Sequence, residues 1–381
     1  MIKYFSRYKT YPKIFNEEVN TKTDAIVVIP CYDDDFIFNT LNSLNNAITE
    51  NYIIEVIVIV NSGENTNSRI KQNNRDIFKK LKGLEQNYQY RLLSANFENL
   101  PSKTAGVGLA RKIGMDEAVR RYAEINNPYG IIISLDADCL VDKSYFLHII
   151  SKFGNDKHSG AATFNFEHNF DTQIFSTEEI EACKLYEAYL RYFRLALKST
   201  GFPHTFYTIG SCFAVKALSY TKVGGMPQQQ GGEDFYFLHK IAKMTNILEI
   251  DIPIVFPAPR VSDRVPFGTG PAVKKIISQK EYKLYNRNLF LLLKTFYQQI
   301  DDIYISNTSA TQQIPVEILN FIGKNKFETI INECKENSKT LETFKKRFIS
   351  KFDAFWIIKF LNSFNNSEDY PLYIKKQEQI T

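Results

Sequence analysis

Apolar residues come in short unbroken runs through the first third of the chain, and polar turn residues end each run. The segments "AIVVIP" (Ala25 to Pro30), "IIEVIVIV" (Ile53 to Val60) and "GIIISL" (Gly130 to Leu135) are rich in β-branched residues. Each predicts a strand buried on both faces. "YRLLSA" (Tyr90 to Ala95) predicts a weaker strand. Between the runs the period becomes helical. Phe36, Leu41, Leu44 and Ile48 recur near helical spacing, residues 68 to 82 read as a helix, and Thr104 to Ile125 read as another. Strands alternating with helices predict an α/β fold with a Rossmann-type, mainly parallel sheet and helices on both faces. Ligands of such sheets sit beyond the carboxyl ends of the strands.

The second half is less regular. Ser176 and Glu179 stand in capping-box spacing and open a long amphipathic helix. A Gly-rich stretch turns helical at about Glu233, and a Pro- and Gly-rich stretch with extended segments follows. From Val273 the pattern is helical almost to the end. In the tail, Phe344, Phe348, Phe352, Phe355 and Ile358 recur at helical spacing. The pattern divides the chain into a polar, irregular N-terminal arm (1–23), a main domain (24–272) and a helical C-terminal region (273–381). The last is expected to pack on the main domain as an appendage.

Charge and cysteines narrow the class. Lys and Arg number 47 against 42 acids, a formal charge of +5. The basic residues are spread along the chain. A nucleic-acid binder concentrates them on one face, so no nucleic-acid partner is expected. Five cysteines without close pairs or zinc spacing point to a reducing, cytoplasmic compartment. The N-terminus lacks an apolar h-region, and no run approaches the ~18 residues of a transmembrane segment. Peripheral contact at the inner face of the membrane stays open.

The candidate chemistry lies at the strand ends. Asp136 and Asp138 follow the fourth strand at i, i+2 spacing. In an extended chain they point the same way and repel each other unless a cation is near. Hard divalent ions such as Mg²⁺ or Mn²⁺ take such oxygen ligands, usually together with substrate phosphates. The plain alternative is a solvated turn. Asp33, Asp34 and Asp35 end the first strand, and Asn61 and Ser62 the second, so three strand ends outline one crevice. Glu233 and Asp234 follow a Gly pair at a helix start. They are either ordinary acids stabilised by the helix dipole, or a carboxylate base at the crevice edge that the helix start would keep ionised and ready to accept a proton. Arg111, near a helix start, meets a phosphate or is solvated. Arg260 and Arg264 flank "VPFGTGP", either a loop closing over a diphosphate or a plain connection. His239 approaches a phosphate or metal, or is a structural histidine. Tyr186, Tyr189, Tyr192 and Phe193 follow helical spacing and read as core rather than a sugar platform.

The ordered segments "VVIPCYDDDFIFNTLNSL", "EVIVIVNSGENT", "AGVGLARKIGMDEAV", "IIISLDADCLVDKSYF" and "KVGGMPQQQGGEDFYFLHKI" together resemble a family 2 glycosyltransferase of the GT-A fold, over roughly residues 24 to 245. The resemblance implies a UDP- or GDP-type nucleotide-sugar donor, a divalent cation (Mn²⁺ or Mg²⁺), and a carbohydrate or lipid-linked acceptor. By position it implies that Pro30, Tyr32 and Asp33 cup the base and that Gly106 to Gly114 lie beside the nucleotide. Asp136 would be the first acid of a DxD motif, on ribose or metal, and Asp138 the direct metal ligand. Asp234 would be the catalytic base, with Glu233 beside it orienting the acceptor. The family's second strand often ends in two acids; here Asn61 and Ser62 stand there, and Asn61 would supply only part of that contact. The implied reaction is one inverting displacement. A retaining enzyme of this fold commonly takes a later His as metal ligand, and no His follows His239. An inactive binding protein of the same fold is the other reading. The missing acid at Asn61 favours it, while the retained Asp136, Asp138 and Asp234 oppose it.

Overall fold

A computed structural model describes residues 1–262, 268–280, 282–306 and 314–364. These form two compact units, one of Met1–Lys184 with Phe206–Ile277, the other of Leu185–Thr205 with Ser278–Thr381.

The first unit begins with α1 (Ile2–Arg7), β1 (Ala25–Cys31), α2 (Ile37–Asn46), β2 (Ile54–Gly63) and α3 (Ser68–Gly83). It continues with β3 (Arg91–Leu100), α4 (Val107–Glu124), β4 (Ile131–Ser134), β5 (Cys139–Val141) and α5 (Tyr145–His148). A π-helical turn, Ile149–Gly154, leads to β6 (Ser159–Phe166) and to α6 (Thr177–Ser199), which from Leu185 on belongs to the second unit. Then come β7 (Phe213–Lys216), α7 (Ala217–Lys222), α8 (Glu233–Ala242), β8 (Asn246–Pro257) and α9 (Thr269–Gln279). The strands make one eight-stranded sheet in the order β3-β2-β1-β4-β7-β6-β8-β5. Its first four strands are parallel, as their unbroken apolar runs require. Every residue of β1 is buried, and helices cover both faces of the sheet. One face is packed by α4, whose Ile113 and Leu109 meet Ile26, Val28, Ile57 and Ile59. The α/β class with helices on both faces is therefore as expected.

Of the later strands only β8 was foreshadowed, as extended segments; their order and direction decide where the site forms. β7 runs antiparallel to β4, and β6 antiparallel to β7. β8 runs parallel to β6, and β5 antiparallel to β8. Two reversals restore the original direction. The carboxyl ends of β6 and β8 therefore open on the same sheet edge as those of β1, β2 and β4. The start of β5 opens there too: Ala258 N donates to Asp138 O at 3.1 Å.

The first 23 residues were expected to be irregular. They contain α1 and bury Tyr4 and Phe15. α4 holds them. Tyr4 donates to Asp116 at 2.7 Å, and Lys112 reaches both partners. Glu117 accepts from the backbone N–H groups of Ile14 and Phe15. Arg121 binds the buried Glu55 through two nitrogens and the carbonyl of Glu17 through a third.

The second unit adds α10 (Arg287–Gln298), α11 (Ile300–Ile305), α12 (Val316–Ile322), α13 (Lys324–Glu336), α14 (Leu341–Lys351) and α15 (Ala354–Phe364). Its core is aromatic. Phe296, Phe348 and Phe352 lie with ring centroids 4.8 to 5.3 Å apart. Each such buried ring contributes roughly 1.5–3 kcal/mol. Tyr189 and Phe193 are half-buried and pack on Tyr282, Tyr285 and Phe290. The tail's apolar stripe is reset at Phe352, where α14 ends and Asp353 caps α15 through the N–H groups of Phe355 and Trp356. Ile357 and Phe360 are thus buried, in place of Phe355 and Ile358.

Candidate active site

The crevice edge carries two arginine-centred acid clusters. The first is built on α4. Arg111, the fifth residue of that helix, is almost fully buried. Its guanidinium bonds Asp136 in the turn after β4 and Glu233 at the start of α8. Burial works against the charge, but Asp136 and Glu233 outweigh it and hold Arg111 firmly protonated. Two glycines make room. A Cβ on Gly210 would stand 2.7 Å from an Arg111 nitrogen, and one on Gly108 would stand 2.2 Å from the carbonyl of Gln229. The solvated alternative for Arg111 does not hold.

The second cluster joins β1, β4 and β8. Arg260, three residues past β8, bonds Asp34 and Asp138; its Nη2 lies 2.9 Å from Asp138 Oδ2. Asp136 and Asp138 stand in a turn rather than on an extended strand, so each faces its own guanidinium. The repulsion expected between them is real but is met separately. Burial raises the pKa of both carboxyls, Arg111 and Arg260 pull them down, and Glu233 and Asp34 push them up again.

Asp34 was not singled out in the sequence. It is buried and turned to Asp138's partner, whereas Asp33 turns away. Asp33 takes a left-handed φ of 50°. Its N–H donates to Asn74 and its carboxylate accepts from Asn73, both on α3. Asn74 also donates to the carbonyl of Asn61 at 2.9 Å, tying the ends of β1 and β2 together. A pair of Asn in a helix interior is unfavourable by propensity, and that was the signal available for this lock. Asn61 is buried, and the Ser62 hydroxyl is buried without a hydrogen-bond partner among the described residues. Tyr32 is half-buried beside Asp33. Pro30 is buried in β1 beyond Val28, the last β1 residue paired to β4.

Asp234 is half-buried at the first turn of α8. Desolvation, then the neighbouring Glu233 charge, push its pKa up to about 7, against a smaller downward pull from Arg111. The expectation that the helix start keeps it ionised is corrected: burial beats the dipole. Glu233 is buried on Arg111. His239 lies between Phe206 and Phe235, with ring centroids 5.0 and 4.5 Å away, and is buried there. Arg264 lies outside the described residues.

Among the described residues no group of three or more His, Cys, Asp and Glu side chains could hold a metal ion. Two carboxylate oxygens, from Asp34 and Asp138, nevertheless converge on one cation, the Arg260 guanidinium. Two such donors fit Mg²⁺ or Mn²⁺ where a bound diphosphate completes the shell. No helix of the described residues is long and apolar enough to cross a membrane.

No protein-family model matches the chain, and no curated protein matches it. Among solved structures the chain is similar to the mannosyltransferase PcManGT of Pyrobaculum calidifontis in complex with GDP-Man and Mn²⁺. The identity is 16%, the match covers 95% of this chain and 86% of that one, and the TM-score is 0.39. It is also similar to glucosyl-3-phosphoglycerate synthase of Mycobacterium tuberculosis in complex with Mn²⁺, UDP-glucose and phosphoglyceric acid. There the identity is 10%, the coverage 62% of this chain and 71% of that one, and the TM-score 0.39.

Proposed function

We propose that the chain is a glycosyltransferase of the GT-A, family 2 kind, moving a sugar from a UDP- or GDP-type donor to an acceptor hydroxyl in one inverting displacement. One observation carries the reading. Five carboxylates (Asp34, Asp136, Asp138, Glu233 and Asp234) gather at one sheet edge against two guanidiniums, Arg111 and Arg260. So negative a crevice repels a nucleoside diphosphate on its own and favours one that arrives with a cation. Asp138, with Asp34 and Asp136 near it, would hold Mn²⁺ or Mg²⁺. Such an ion, when bound, neutralises the diphosphate and stabilises the departing nucleotide.

The chain's own residues supply the rest. Pro30, Tyr32 and Asn61 would take the base and ribose side, on a floor that Asp33 and Asn74 stiffen. Glu233 acts through Arg111, fixing the guanidinium against Asp136. Asp234 takes the acceptor hydroxyl proton. A carboxylate with a pKa near 7 is a stronger base than an ordinary one and is still available at neutral pH. The acceptor is a carbohydrate or lipid-linked hydroxyl.

The test is a panel of UDP- and GDP-sugars with Mn²⁺, read as release of the nucleoside diphosphate. One donor class is expected to turn over. Its rate should rise through a pH of about 7, as Asp234 loses its proton, and fall away below it. No release from any donor, or a profile flat from about pH 5 to 9, contradicts the reading.

A further inference from the structure

Arg260 sits where a metal would have to go. Its Nη2 bonds Asp34 and Asp138 together, and its Nε lies 3.3 Å from the same Asp138 oxygen. Asp136 and Glu233 are taken by Arg111, so the two clusters do not share a cation. Two carboxylates from different strands thus meet on one guanidinium. Asp34 is 2% exposed, so water competes little for it. Both Arg260 contacts fall on Asp138 Oδ2, while Oδ1 accepts from Cys139 Sγ at 3.8 Å. A divalent ion bound by Asp138 and Asp34 together would therefore compete with Arg260 for Oδ2, and the two cations would repel each other across a few ångströms. The guanidinium and the ion compete for the same pair of carboxylates.

We propose that Arg260 is a tethered cation that occupies Asp34 and Asp138 in the metal-free chain and must leave before a divalent ion binds. It thereby sets the metal affinity of the site. The backbone on either side is pinned. Ala258 N donates to Asp138 O at 3.1 Å, and Val261 N to Glu179 Oε1 at 3.2 Å. The exchange is therefore a movement of one side chain. A donor diphosphate gives the displaced guanidinium a new anion, which it can grip through two nitrogens. Metal and nucleotide then assist each other: the ion frees Arg260 and the phosphates retain it.

The inference rests on the proposed function only for the kind of ion, and its test needs no sugar donor. Mn²⁺ is titrated into the whole chain without nucleotide, and the free ion is read by electron paramagnetic resonance. If Arg260 fills the site nine-tenths of the time, Arg260→Gln should bind Mn²⁺ about tenfold more tightly than the parent. Arg260→Lys, which keeps the charge, should stay near the parent, and Asp138→Asn should bind no ion. Removing the arginine takes a charged partner from the buried Asp34, so Arg260→Gln should melt lower without metal and gain more Tm from Mn²⁺ than the parent does. Mn²⁺ affinity in Arg260→Gln that equals the parent's or falls below it overturns the inference. So does Mn²⁺ binding that persists in Asp138→Asn. Tighter Mn²⁺ binding with no turnover of any sugar donor would sink the transferase reading and leave this one standing.

Discussion

Asp234→Asn should lower turnover by about 10²–10⁴-fold while donor affinity changes little, the signature of a lost general base. The substitution keeps size and removes basicity. An acceptor hydroxyl is a weak nucleophile until a base takes its proton, and the base must not already be committed elsewhere. Asp136 and Glu233 are tied to Arg111, and Asp34 and Asp138 to Arg260. Asp234 is the acid of the set whose pKa burial has lifted to about 7. The fold should survive, because Asn relieves a carboxylate that Glu233 and burial already disfavour. Rapid-quench turnover and donor titration, done on the same preparation, separate the two effects. Loss of donor affinity with saturating turnover intact would make Asp234 a binding residue instead.

Asp138→Asn should abolish the metal dependence of nucleotide binding. Asp138 contributes an oxygen to the point where it and Asp34 meet the Arg260 guanidinium. Asn leaves Asp34 alone there, and one carboxylate does not hold a divalent ion against solvent. The structural cost is modest. Losing a charge-assisted bond to Arg260 costs about 1.5–3 kcal/mol, and this is partly offset because Asp34 and Asp136 both repel the Asp138 charge. UDP and GDP titrations with and without Mn²⁺, beside a melting curve, measure both quantities. A parent protein that binds nucleotide equally well with and without metal would end the argument.

The alternation of strands and helices through β4 was legible because buried parallel strands need continuous apolar runs. β6 and β7 were not legible. Ser159 to Phe166 opens with four small residues and places aromatics only at Phe164 and Phe166, too short a pattern for period alone to assign, and nothing local records an antiparallel partner fifty residues away. Among three consecutive aspartates, the sequence could not say which one enters the crevice. That choice is made by the left-handed turn at Asp33 and by two Asn side chains from α3. The carboxylate partners of Arg111 were hidden for a different reason. α4 is buried on nearly all sides, polar residues included, so no apolar stripe marks which of its charges faces a partner. Arg260 was seen as a phosphate candidate, but its carboxylate partners lie 122 and 226 positions away.

The same burial of α4 bears on how the molecule opens. Terminal segments ordinarily fray and exchange their amide hydrogens within seconds. Here Tyr4, Ile14, Phe15 and Glu17 are bonded to Asp116, Glu117 and Arg121, on the helix that presents Arg111 to the acids. Opening the first fifteen residues would take the Tyr4 hydroxyl from the buried Lys112 and Asp116, and the Ile14 and Phe15 N–H groups from the buried Glu117. In a hydrogen-exchange time course the N–H groups of Ile14 and Phe15 should therefore report the slow rate of α4, so that the beginning of the chain and the floor of the crevice are released as one cooperative unit.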